Sequence, residues 1–156
     1  MPLVLILVRI LVGGVFIYSG WHKLMASIEN FMAVLQGYQF LPSSLIPIFA
    51  FLVPWLEFIV GVFLALGFMT RASSTVLSAF LAVFISLLAR SLWLHLPIHE
   101  CGCFGGAISL SPKQAMALDS SLLLGAFILM GRGKSIPFSL DRWLNKGESR
   151  IKRVSL

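Results

Sequence analysis

Four long apolar runs, set apart by short polar breaks, dominate the chain. They cover residues of about 3–25, 45–69, 72–94 and 113–131. Each is close to the roughly 20 residues an α-helix needs to cross a bilayer. The pattern predicts an all-α integral membrane protein, with a four-transmembrane-helix bundle over 1–131 and an interfacial basic C-terminal tail over 132–156. Composition agrees: 58% of residues are hydrophobic and 12% charged, where soluble domains are nearer half and a quarter. A soluble domain is therefore excluded. The first run has no basic flank before it, and Tyr18–Lys23 is a poor cleavage site, so it is expected to remain as a span.

Between the runs the residue types change. Gly13, Gly14, Ser19 and Gly20 give the first span small surfaces, and Tyr18 and Trp21 suit a membrane interface. Residues 26–43 mix Glu29, Asn30, Gln36 and Gln39 with Phe31, Met32, Tyr38 and Phe40, which predicts a loop lying on the membrane. In the second span Pro54 removes a backbone donor and predicts a kink near Ala50. The other reading has residues 44–53 lying flat and the crossing starting near Pro54, and the sequence leaves both open. Thr70-Arg71 reads as a tight turn into the third span. Ser74, Ser78, Ala82 and Ser86 recur every fourth residue there, and Ala117, Ser121 and Gly125 do so in the fourth. Small residues at that spacing let membrane helices approach closely, so these two spans are expected to pack as a pair. Ser111-Pro112 is a good helix start.

Charge sets the expected orientation. Residues 132–156 hold seven Lys or Arg against Asp141 and Glu148. Such a run marks the cytoplasmic side and touches anionic lipid, and nucleic acid need not be invoked. Arg71 agrees, whereas residues 26–43 and the stretch between Arg90 and Lys113 hold no Lys or Arg. Four spans then put both termini in the cytoplasm and both of these connections outside, in the periplasm of a Gram-negative cell. That side permits disulfides.

The outer connection between the last two spans carries Cys101-Gly102-Cys103-Phe104-Gly105-Gly106, with the only two cysteines of the chain. Three readings stand: a redox-active pair, a metal site, or an inert pair. A pair closed over so few residues restricts little chain entropy and makes a weak staple. Strained, exposed disulfides are the labile kind, and His99 is placed to lower a thiol pKa. These points favour redox chemistry. Phe104 offers an apolar contact to a thioredoxin-like partner or a quinone ring. The metal reading uses His95, His99, Cys101 and Cys103 as ligands for copper or zinc, although the spacing is not a standard zinc pattern.

Arg9, Glu57, Arg90 and Asp119 fall inside predicted spans, where ionisable groups are costly and usually paired or facing a cavity. Glu57, just past Pro54, is a candidate for proton handling beside a membrane quinone, or for an ion pair with Arg9. Asp119 lies about 9 Å from the outer end of its span. Arg90 lies at a similar depth and Lys23 at the outer end of the first span, so Asp119–Arg90 and Asp119–Lys23 are both expected pairs. The plainer reading makes all of these structural bridges that fix helix register.

Several of these residues resemble a known family. Arg9, Gly13-x-x-Phe16-x-x-Ser19-Gly20-x-x-Lys23, Pro54-x-x-Glu57-x-x-x-Gly61, Gly67 and Arg71 resemble the DoxX-like four-helix membrane proteins. Cys101-Gly102-Cys103-Phe104-Gly105 before the last span resembles the methylamine utilisation protein MauE branch, in which an acid often stands where Asp119 does. The resemblance covers residues 5–130. It implies a bacterial inner-membrane accessory protein that supports maturation of a disulfide-rich periplasmic methylamine dehydrogenase subunit, beside a thioredoxin-like partner. More distant relatives imply sulfur-compound oxidation and quinone reduction. Two other function classes remain: a non-catalytic scaffold or chaperone subunit of a larger membrane complex, and copper or zinc handling. With no second cysteine pair, electrons cannot cross the bilayer through this chain's thiols alone.

Overall fold

A computed structural model describes residues 2–94 and 111–132. All regular structure among them is helical: α1 (Pro2–Met25), α2 (Ile28–Gly37), α3 (Ile46–Leu66), α4 (Thr70–Trp93) and α5 (Pro112–Arg132). α1, α3, α4 and α5 are long and apolar enough to span a membrane. They run alternately up and down. The ends of α3 and α5 therefore share one end of the bundle with the start of α4, and Leu94 and Ser111 stand at the other end with α2. The Cys101–Cys103 segment and the tail beyond Arg132 lie outside the described residues.

The distribution of polarity is that of a protein surrounded by lipid. Leu3, Leu7, Leu11, Phe51, Leu52, Leu66, Val83 and Leu124 are exposed, whereas Arg9, Ser19, Lys23, Glu57, Ser74 and Asp119 are buried. On α1 the buried side chains beyond glycine are Leu5, Arg9, Val12, Phe16, Ser19 and Lys23, alternately four and three residues apart. This is the seam that packs one helix along another. Charged and apolar residues share that stripe because water is not on the far side of it.

α1 packs most intimately on α3, through glycines. A Cβ on Gly13 would come within 2.9 Å of the Ala65 nitrogen, and one on Gly61 within 3.0 Å of the Ile17 nitrogen. The expected α4–α5 pair is also present, and the expected stripes hold only in part: Ser74 and Ser78 are buried. Ala82, Ser86, Ala117 and Ser121 are exposed, and α5 turns Ala115, Asp119, Leu122, Ala126 and Leu129 inward instead. The serines face outward at little cost because each bonds its own helix: Ser86 Oγ donates to the Ala82 carbonyl and Ser121 Oγ to that of Leu118, both at 2.7 Å. Gly125 faces Val8 and Val12 of α1.

Two connections also differ from expectation. The α3–α4 turn lies at Gly67–Met69, and Thr70-Arg71 opens α4. Gly67 takes a left-handed φ of 73°, which glycine tolerates, and Phe68 N–H reaches back to the Phe63 carbonyl at 2.9 Å. Arg71 Nε then donates to the Met130 carbonyl at 3.1 Å, a cation on the C-terminal end of α5. Residues 28–37, expected as loop, form α2, with Phe31 and the following Tyr38 buried against the bundle. α3 is one continuous helix from Ile46, with Pro47 in its first turn and Pro54 inside it, so residues 46–53 belong to the crossing. At the head of α5 the Gln114 side chain accepts from Ser111 N–H at 3.2 Å and Ser111 Oγ from Gln114 N–H at 3.4 Å. This reciprocal cap is what Ser111-Pro112 predicts.

Candidate functional site

Where the inward faces of the four long helices meet, they line a partly open cavity of about 30 Å3, with charged groups set among apolar side chains. Ser19 and Lys23, one turn apart on α1, bring a hydroxyl and an ammonium to it. α3 brings Glu57 and α5 brings Asp119, while α4 closes it with Phe80, Leu81 and Phe84. The three charged residues are 5%, 2% and 5% exposed for Lys23, Glu57 and Asp119.

Lys23 and Glu57 form a buried, two-pronged ion pair. Lys23 Nζ donates to Glu57 Oε1 at 2.7 Å and Oε2 at 2.8 Å, and Ser19 Oγ donates to Oε2 at 3.0 Å. The same ammonium stands 5.2 Å from the centre of the Phe31 ring, so α2 adds a cation–π contact. Buried charges persist only when paired and hydrogen-bonded, and Lys23 and Glu57 meet both conditions.

The expected Arg9–Glu57 pair is thus corrected: Lys23 takes the Glu57 carboxylate. Arg9 lies fourteen residues before Lys23 on the same helix, about 21 Å along it at 1.5 Å per residue, and is buried near the other end. Of the two pairs expected for Asp119, Arg90 is removed because its residue is exposed on α4. Lys23 does share the cavity with Asp119, though it is bound to Glu57. Asp119 Oδ2 is buried and has no hydrogen-bond partner. His95, His99, Cys101, Cys103 and Phe104 lie outside the described residues.

Sequence reasoning placed Glu57 and Asp119 correctly in the interior but missed that they share one cavity. It also missed Ser19 as a carboxylate donor and Tyr38 as a neighbour. The signal was the spacing of Ser19 and Lys23, four residues apart on the Phe16 face of α1. A water needs about 10–15 Å3, so the cavity has room for one or two.

Tyr38 follows α2 and packs on Phe84, with ring centres 6.3 Å apart. Burial, and then the negative charge of Asp119, push its phenol up from 10.0 to about 12. The folded protein therefore holds this proton more tightly than the unfolded chain does. The resulting stability is complete below pH 10.0 and is lost as pH rises through about 12. In an alkaline absorbance titration, Tyr38→Phe is expected to remove a late tyrosinate step near pH 12 and to flatten the loss of stability that accompanies it.

No protein of curated function and no solved structure matches the chain. The family model described as methylamine utilisation protein MauE matches residues 1–132. With four apolar spans closed around a buried lysine–glutamate pair, this multi-pass membrane protein belongs to the MauE family.

Proposed function

We propose that the chain is a membrane thiol–disulfide protein that supports maturation of a disulfide-containing enzyme subunit in methylamine utilisation. The observation that carries this reading is the placement of its only two cysteines, Cys101 and Cys103, with a single glycine between them in the segment joining α4 to α5. The family name supports the pathway. The basic residues at the opposite end, Arg71, Arg132 and the tail, support a bacterial inner-membrane location with both termini in the cytoplasm and the cysteines outside.

The chemistry is exchange with a thioredoxin-fold partner. One cysteine, ionised to its thiolate, attacks a partner disulfide and forms a mixed disulfide, and the departing partner sulfur takes up a proton. The second cysteine then attacks the mixed bond. The chain is left with a Cys101–Cys103 disulfide and the partner with two thiols, so two electrons and two protons have passed to the partner. Run in reverse, the same steps oxidise the partner.

Single variants Cys101→Ser and Cys103→Ser test this. One of them should accumulate a covalent adduct with a thioredoxin-fold protein that reductant releases, and the double variant should give none. A pure scaffold would form no adduct and would keep full function with both cysteines replaced.

A further inference from the structure

We propose that the cavity between α1, α3, α4 and α5 is a proton-binding site in which the Asp119 carboxyl carries one exchangeable proton. This goes beyond the thiol chemistry and does not rest on it. Charge counting gives the first reason. Lys23 is a single cation facing two carboxyl groups, Glu57 and Asp119, and its charge-assisted bonds at 2.7 and 2.8 Å both go to Glu57. Fully ionised, the cluster would hold one uncompensated negative charge in a lipid-embedded interior, and buried groups in that position neutralise by taking a proton.

The second reason is geometric. Asp119 is 5% exposed, lines the cavity, and its Oδ2 meets no donor. An ionised oxygen there would be both desolvated and unbonded, whereas a protonated one needs no donor. The facing groups leave no other source of compensation among the described residues. α1 presents Ser19 and Lys23, α3 presents Glu57, and α4 presents Phe80, Leu81 and Phe84. The Tyr38 phenol beside α2 is neutral and brings no positive charge. The cavity's room for one or two waters gives the proton a carrier next to the carboxyl.

Infrared difference spectroscopy on purified protein in lipid nanodiscs, titrated across the physiological pH range, tests this. A protonated-carboxyl C=O band that shifts in D2O is expected. It should vanish entirely in Asp119→Asn, move but persist in Asp119→Glu, and survive in the Cys101→Ser/Cys103→Ser double variant. That last arm separates this site from the fate of the thiol reading. Absence of the band in the wild type, its persistence in Asp119→Asn, or its loss at fixed pH when sodium replaces choline would overturn the proposal; the sodium result would make the cavity a metal-cation site.

Discussion

Replacing Lys23 with methionine is expected to destabilise the bundle by about 3–5 kcal/mol, the usual result of leaving a buried charge without its partner. The cavity makes this the worst single change in the cluster. Glu57 loses the bonds at 2.7 and 2.8 Å, and Asp119 loses the only cation that lines the cavity among the described residues. Glu57→Gln should cost less. It keeps an acceptor for Ser19 and frees Lys23 to serve Asp119, which already shares its cavity. The double variant Lys23→Met/Glu57→Gln should recover much of the Lys23→Met loss, since the glutamine carries no charge to strand. Reversible unfolding in mixed micelles gives all three values. Additive costs for the two substitutions would show that the 2.7 Å pair contributes no coupling.

Gly20→Ala is expected to cost about 1–3 kcal/mol, the range for forcing atoms into filled space. The added Cβ would sit 2.7 Å from the Phe58 nitrogen and 2.9 Å from the Pro54 oxygen. Both are backbone atoms of α3, so relief requires the helices to part. Gly20 lies between Ser19 and Lys23, and parting them there stretches the bonds to Glu57. The substitution should therefore weaken the coupling measured between Lys23 and Glu57 as well as total stability. Gly14→Ala is the matched control. Nothing lies within 4 Å of its Cβ position, and alanine favours the helix by about 0.8–1 kcal/mol over glycine. Thermal scans of the two alanine variants should move in opposite directions.

The spans were legible because length and apolarity in lipid leave few choices for a backbone that must satisfy its own hydrogen bonds. The start of α5 was legible for a local reason, the Ser111–Gln114 exchange that needs no tertiary partner. Small residues guide only part of the inward faces: Ser74 and Ser78 are buried, whereas Ala82, Ser86, Ala117 and Ser121 are exposed. Ser86 and Ser121 satisfy themselves on their own helices and can face lipid, so small size alone does not mark an interface. The charges are the better guide: of Arg9, Glu57, Arg90 and Asp119, all but the exposed Arg90 lie on buried stripes, and Lys23 joins them. Their pairing was not legible, because it depends on how far α1 slides along α3. The contacts of Gly13 and Gly20 with α3 fix that register and bring Lys23, not Arg9, to Glu57. α2 was hidden because its polar residues read as loop, while Phe31 and Tyr38 held the side that packs inward.

The claim on which the function rests is that a reversible sulfur pair stands at the outer end of this bundle. Intact cells treated with a membrane-impermeant maleimide test it directly, alongside a control carrying Ser155→Cys in the Cys101→Ser/Cys103→Ser background. Labelling of Cys101 or Cys103 from outside, strongly increased by prior reduction, with Ser155→Cys reached only after lysis, is the expected result. Labelling of Ser155→Cys from outside, with Cys101 and Cys103 untouched even after reductant, would contradict it.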